Sequence, residues 1–368
     1  MFVALELVTG PLLLLAGWRK ADKRSNEAAL KFFLIAVLSA AVLGWGMSFV
    51  YGLTGSVQFD QVSVAMAGVL ADDATRAAGV LAIMFVIAGF AFKISAVPFH
   101  FWAPDTYEGA PTPVTAFLSV SSKAAGFVGL LVVLFVAFGS ATEVWGPAMW
   151  VLAALTMTLG NFSALGQTNV VRLLAYSSVA QAGFMLVPFA VAAVADTGPE
   201  LAEGFSATVI YLIIYAFMNL GAFAVVIAAS ARTGSADIES FGGLSSRAPG
   251  LAVLGSLFFF SLAGIPPLAG WYAKLVMFRS VIGTGEEWGI VLGVIAAVNA
   301  VVAFFYYAKV VKAMWFDPTP EDLLDLDVGI AGSMRLALGL SVAMVIVLGI
   351  LPGIADTLGR ASAVIAGG

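Results

Sequence analysis

The chain has 368 residues, 61% of them hydrophobic and 11% charged, with a net charge of −5 and a mean hydropathy of +1.03. A soluble domain carries roughly 25% charged residues, so this composition cannot clothe a surface in water and points to lipid as the solvent. Cysteine is absent and histidine occurs once, which excludes disulfides, iron–sulfur clusters and thiolate or paired-imidazole metal sites, and the negative balance argues against nucleic acid.

Ten apolar segments follow in order, near 1–18, 28–52, 77–97, 114–138, 147–166, 169–194, 205–231, 250–282, 287–315 and 332–351. A span needs about 20 apolar residues, and only helices satisfy the backbone in lipid for runs of this length. The expected fold class is therefore an all-α polytopic membrane protein of ten transmembrane helices. The opening residues, MFVALELVTG, carry no leading basic region, so they read as the first helix and not as a signal peptide. The stretch 56–76 is too polar to span and reads as an interfacial loop with a short amphipathic helix.

The basic residues set the orientation. Arg19, Lys20, Lys23, Arg24, Arg172, Arg232, Arg247, Lys309, Lys312 and Arg335 fall at one face, against Arg76, Arg279 and Arg360 at the other. That second face also carries acidic patches at Asp196–Glu203 and Glu286–Glu287. The basic face is expected to be cytoplasmic.

Two segments are too long for one span. Residues 77–110 and 249–282 each run for 34 residues, interrupted at Pro98 and at Gly264-Ile265-Pro266-Pro267. A straight helix of that length would reach about 51 Å, far beyond the roughly 30 Å hydrocarbon core. Each is read as helix, break, helix. Matching breaks in two halves predict an internal repeat with its functional centre at the breaks. The expected division is 1–138 for a first, incomplete half-repeat, 139–315 for a second, inverted five-helix repeat, and 316–368 for a C-terminal loop and last helix.

A charge at mid-membrane costs about 2.5–3.5 kcal/mol on insertion scales. Glu6, Lys93, Lys123 and Lys274 all fall inside apolar segments at similar depth. Desolvation favours the neutral form of each, and an opposite neighbour favours the charged form. Such groups joined by water make a proton relay. Lys31 lies near a helix end, where snorkelling also explains it. His100, at the first break, reads either as a connection between the lysines and water or as a cap on the broken helix. Tyr211, Tyr215 and Asn219 share one helix face, as do Ser177 and Gln181, and such stripes read as interhelical hydrogen-bonding glue. Asp105 and Glu108 are expected to be solvated at the cytoplasmic mouth.

Four stretches carry a family resemblance: FKISAVPFHFWAPDTYEGAPTPVTAF, the lysine of SSKAAGF, LAYSSVAQAGF and LAGIPPLAGWYAK. They resemble the antiporter-like membrane subunits of respiratory complex I, NADH-quinone oxidoreductase. The form from Asp105 to Pro111 and the lysine at 274 resemble subunit N more than M or L. The resemblance implies fourteen helices with two inverted five-helix repeats, of which ten are present here and about four N-terminal ones are not. It implies a proton-translocating subunit of a bacterial inner membrane, with quinone, flavin and iron–sulfur clusters in partner subunits and no cofactor in this chain. Carried over by residue, it implies an ion pair of Glu6 with Lys93, a central Lys123, a distal Lys274, and supporting roles for Lys31 and His100. Gln181 stands where many relatives have histidine, so a titratable step there is not expected. Subunits of multisubunit cation/proton antiporters and of ion-translocating membrane hydrogenases share the fold and the lysines. A structural spacer between pumping subunits is the remaining alternative.

Overall fold

The computed structural model describes residues 1–193, 198–323 and 330–367, and every regular element among them is a helix. In the first half, α1 spans Phe2–Ala16, α2 Lys23–Thr54, α3 Phe59–Ala71, α4 Asp73–Ile94, α5 Trp102–Gly109 and α6 Thr112–Ala137. In the second, α7 spans Thr142–Leu165, α8 Val170–Leu186, α9 Gly198–Thr233, α10 Pro249–Ala263, α11 Ala269–Ile282, α12 Glu287–Phe316, α13 Gly332–Ile350 and α14 Gly353–Gly367. Eight of these (α2, α4, α6, α7, α8, α9, α12 and α13) are long and apolar enough to cross a bilayer, while α1, α3 and α10 are shorter apolar helices.

The termini are closed locally, as a low-dielectric solvent requires. Asp22 accepts from the Arg24 amide at the start of α2, and Asn169 accepts from the Val171 and Arg172 amides at the start of α8. Helix α8 is the hub of the bundle, with 89% of its most apolar window buried, against 28% for α2 and α13. The polar residues of α8 are thus forced into the interior.

Both expected breaks are present. Helix α4 ends where Ser95 turns to φ 59°, and α10 ends where Gly264 turns to φ 92°. Each second half-helix, α5 or α11, resumes within a few residues. Helix α3 presents Val62, Met66 and Leu70 inward at a spacing of four, the amphipathic helix expected between 56 and 76. Asp196, read as part of an acidic patch, lies outside the described residues.

Helix α14 was not among the ten expected segments. Pro352 interrupts the apolar run before it, and Asp356 and Arg360 interrupt the run within it. Its buried face is Ala355 and Gly359, four residues apart, with Gly359 packed on Ser206 and Ile210 of α9. Gly349, near the end of α13, packs on Pro267 and Ala269, so the joint between α13 and α14 lies beside the second break.

Candidate functional site

The two breaks each leave a half-helix whose last carbonyls have no partner in their own helix. A helix C-terminus carries a partial negative charge, and a cation placed there is stabilised. A lysine is found at each.

Lys123 of α6 is 2% exposed. Its Nζ donates to the Ile94 carbonyl at 3.2 Å, closing the end of α4, and to the Ser178 carbonyl of α8 at 2.6 Å. It follows a π-helical turn, Leu118–Ser122, which re-aims the side chains after it. Helix α6 reaches the break because residue 126 is glycine. A Cβ there would lie 2.8 Å from Ile94 Cγ2 and 3.4 Å from the Lys93 Cβ.

Lys274 of α11 is 5% exposed, and its Nζ donates to the Ala263 carbonyl, closing the end of α10. The ammonium also lies 5.0 Å from the Phe184 ring centroid, within the range of a cation–π contact. A Cβ on Gly264 would fall 2.8 Å from Lys274 Cδ, so glycine here supplies both the left-handed turn and the room for the lysine.

Lys93, next to last in α4, points the other way. Its Nζ donates to Thr9 Oγ1 at 2.9 Å and lies 2.9 Å from Glu6 Oε1. Glu6 and Thr9 are three residues apart on α1, hence on one face. Lys93 is buried and Glu6 half-buried, and their pair ties α1 to the break.

Between Lys123 and Lys274 lie separate groups of buried, hydrogen-bonded polar side chains. The Tyr215 hydroxyl donates to Ser178 Oγ at 3.0 Å, and the Tyr211 hydroxyl donates to Gln181 Oε1 at 2.7 Å. Gln181 Nε2 donates to the Leu262 carbonyl at 3.1 Å and to the Tyr307 hydroxyl at 3.3 Å. Tyr307 in turn shares a hydrogen bond with Ser177. Leu262 adjoins Ala263, so Gln181 and Lys274 grip consecutive carbonyls of the same helix end. Asn219 Nδ2 donates to Ser119 Oγ at 2.7 Å, inside the π-helical turn before Lys123.

Lys31 lies outside this core. It donates to Asp105 and pairs with Glu27, each at 2.7 Å, and Arg172 pairs with Asp105 at 3.0 Å and Glu108 at 2.8 Å. Asp105 and Glu108, expected to be solvated, are instead joined in an ion-pair network at the basic face that fastens α2, α5 and α8. His100 is half-buried in the first break and makes no side-chain hydrogen bond to Lys93 or Lys123 among the described residues. Thr9, Asn161, Asn299, Tyr306 and Tyr307 were not singled out from the sequence. Asn299, Tyr306 and Tyr307 stand at a spacing of seven and eight in an apolar run, which was the available signal. Among the described residues no cluster of His, Cys, Asp or Glu has the makings of a metal site.

Residues 1–299 match the family described as "NADH:quinone oxidoreductase/Mrp antiporter, TM". The chain belongs to this family. NADH-quinone oxidoreductase subunit N of Anaeromyxobacter sp. is 42% identical over 338 residues, covering 86% of this chain and 64% of that relative. NAD(P)H-quinone oxidoreductase subunit 2 of Crocosphaera subtropica is 46% identical over 316 residues, covering 85% of this chain and 58% of that relative. This chain thus spans less than two thirds of the length of either curated relative. A chain in respiratory complex I from Thermus thermophilus with bound aureothin superposes with a TM-score of 0.78 at 32% identity, covering 97% of this chain and 74% of that one.

Proposed function

We propose that this chain is a proton-translocating, non-redox membrane subunit of a bacterial NADH:quinone oxidoreductase, seated among other membrane subunits in the inner membrane. Flavin, iron–sulfur clusters and quinone belong to partner subunits, and this chain contributes proton carriers alone. The names of the two relatives support the assembly. The observation that carries the mechanism is the pair of buried ammoniums, Lys123 and Lys274, each at the carbonyl end of a broken helix, with the polar groups of Ser178, Gln181, Tyr211 and Tyr307 between them.

In this reading Lys123 releases a proton toward α8 and becomes a neutral amine. Hydroxyls and water carry the charge through these polar groups, and neutral Lys274 receives it. A proton on one lysine raises the cost of a proton on the other through the low dielectric between them. Gln181 cannot titrate, so its amide holds the Tyr211 and Tyr307 hydroxyls in position. A shift of Glu6 relative to Lys93 changes the field at the first break and so the charge state of Lys123. Lys31 and His100 play supporting parts on the basic side.

The test is proton pumping by the assembled enzyme in proteoliposomes. Lys123→Ala and Lys274→Ala are each expected to cut pumping by about tenfold or more at normal assembly, which corresponds to about 1.4 kcal/mol or more on the transfer barrier. Native pumping by both variants would falsify the relay and leave a spacer. Transport that requires sodium would assign the chain to a cation/proton antiporter instead.

A further inference from the structure

A cavity of about 530 Å³ opens between α9, α11 and α14. Glu203, Ser206, Arg279, Asp356 and Arg360 line it among alanines and aliphatic side chains. Two carboxylates and two guanidiniums, three of them exposed, mark a wet cavity, because ionised groups beside membrane helices face water or one another.

Its mouth is at the acidic face, where α9 begins and α11 ends, and where Arg279 Nη2 and Glu203 Oε1 stand 3.9 Å apart. Behind the lining residue Asp356, the Tyr272 hydroxyl donates to Asp356 Oδ1. Tyr272, Val276 and Arg279 follow at i, i+4 and i+7 on one face of α11, over about 10 Å, and Val276 and Arg279 line the cavity. Tyr272 is the fourth residue of α11, and Lys274 stands two residues further on, about 3 Å along the helix axis and on another side of the helix.

We propose that Asp356 is the group through which the relay exchanges protons with water on the acidic face; this rests on the relay reading given above. In the releasing direction the Lys274 ammonium loses a proton and becomes an amine. Water takes that proton past one turn of α11, and the Asp356 carboxylate binds it as a carboxylic acid while keeping the Tyr272 hydroxyl as donor. Cavity water then removes the proton and restores the carboxylate. With Asp356 ionised the four charges of the cavity sum to zero. With Asp356 protonated, Arg279 and Arg360 outweigh Glu203 by one charge, which drives the proton outward.

Asp356→Asn retains the acceptor for Tyr272 and its volume, and it cannot carry a proton. In the assembled enzyme it is expected to lower pumping about tenfold and to remove the dependence of pumping on pH at the acidic face, with Asp356→Glu restoring both. Wetness is read separately. The chain has no cysteine, so Ser206→Cys gives this subunit a single thiol, read on the isolated subunit band, expected to react with a charged, membrane-impermeant methanethiosulfonate added at the acidic face. No labelling of that thiol overturns the cavity as a water port. Native pumping by Asp356→Asn beside defective Lys274→Ala overturns the port and spares the relay. Native pumping by both overturns the port and the relay together.

Discussion

At the first break a serine, Ser95, holds the left-handed turn, and at the second a glycine, Gly264, does. The carbonyl end of α4 is closed by a lysine from another helix, Lys123 of α6, whereas that of α10 is closed by its own second half, through Lys274 of α11. The first break also has a carboxylate at hand, since Lys93 sits against Glu6. At the second, Lys274 is held by a carbonyl dipole and the Phe184 ring, and no ion pair involves it among the described residues. The comparison teaches that one device, an ammonium on a broken helix end, is held in two ways. The first break is tied to α1 by a charge pair. At the second, a carbonyl dipole and an aromatic ring hold the ammonium.

Removing the lysine that closes the first break tests the comparison most severely. Lys123→Met keeps the length of the side chain but leaves the Ile94 carbonyl at the end of α4 without its donor, at about 1–3 kcal/mol for a buried group. Pumping in proteoliposomes is expected to fall to background, with a lower unfolding midpoint in nanodiscs. Next comes the pair of turn residues. Gly264→Ala forces a left-handed alanine, at about 1–2 kcal/mol, and pushes on the Lys274 side chain. It should lower both midpoint and pumping several-fold, whereas Ser95→Gly should keep pumping near native. Equal effects would mean that the two turns are interchangeable and that the close fit of Lys274 is irrelevant.

Glu6→Gln should have an intermediate effect. Lys93 keeps Thr9 but loses its carboxylate, so pumping should fall by a few-fold while Lys123 stays in place, and an unchanged rate would detach α1 from the relay. The smallest effect is expected for Asp105→Asn in the basic-face network. Partly exposed ion pairs contribute about 0.2–1 kcal/mol each, so stability should drop slightly and pumping stay within about twofold of native.

Much of this organisation was legible before any coordinates. The two breaks announced themselves because a 34-residue apolar run with prolines inside cannot be one span. Glu6, Lys93, Lys123 and Lys274 stood out because an ionisable residue in an apolar run is rare and expensive. Other features were not legible. Nothing in the spacing says that Lys123 would reach the Ile94 carbonyl rather than a carboxylate, because hydrogen bonds between helices depend on how two helices are rotated against each other. Asp105 and Glu108 looked like solvated loop residues, since their partners Lys31 and Arg172 are far away in the chain. Helix α14 was hidden because two charges and a proline mask its short apolar face.

The sequence by itself determined the solvent, the helical class, the positions of both breaks and the identity of the buried charges, because each follows from local composition and from the length a bilayer imposes. Only the tertiary structure decided which carbonyl each ammonium caps, that Gln181 links Tyr211, Tyr307 and the end of α10, and that Asp356 meets Tyr272 beside a charge-lined cavity. These are contacts between residues up to 126 positions apart, and they are set by the rotation and close approach of packed helices, which no single segment encodes.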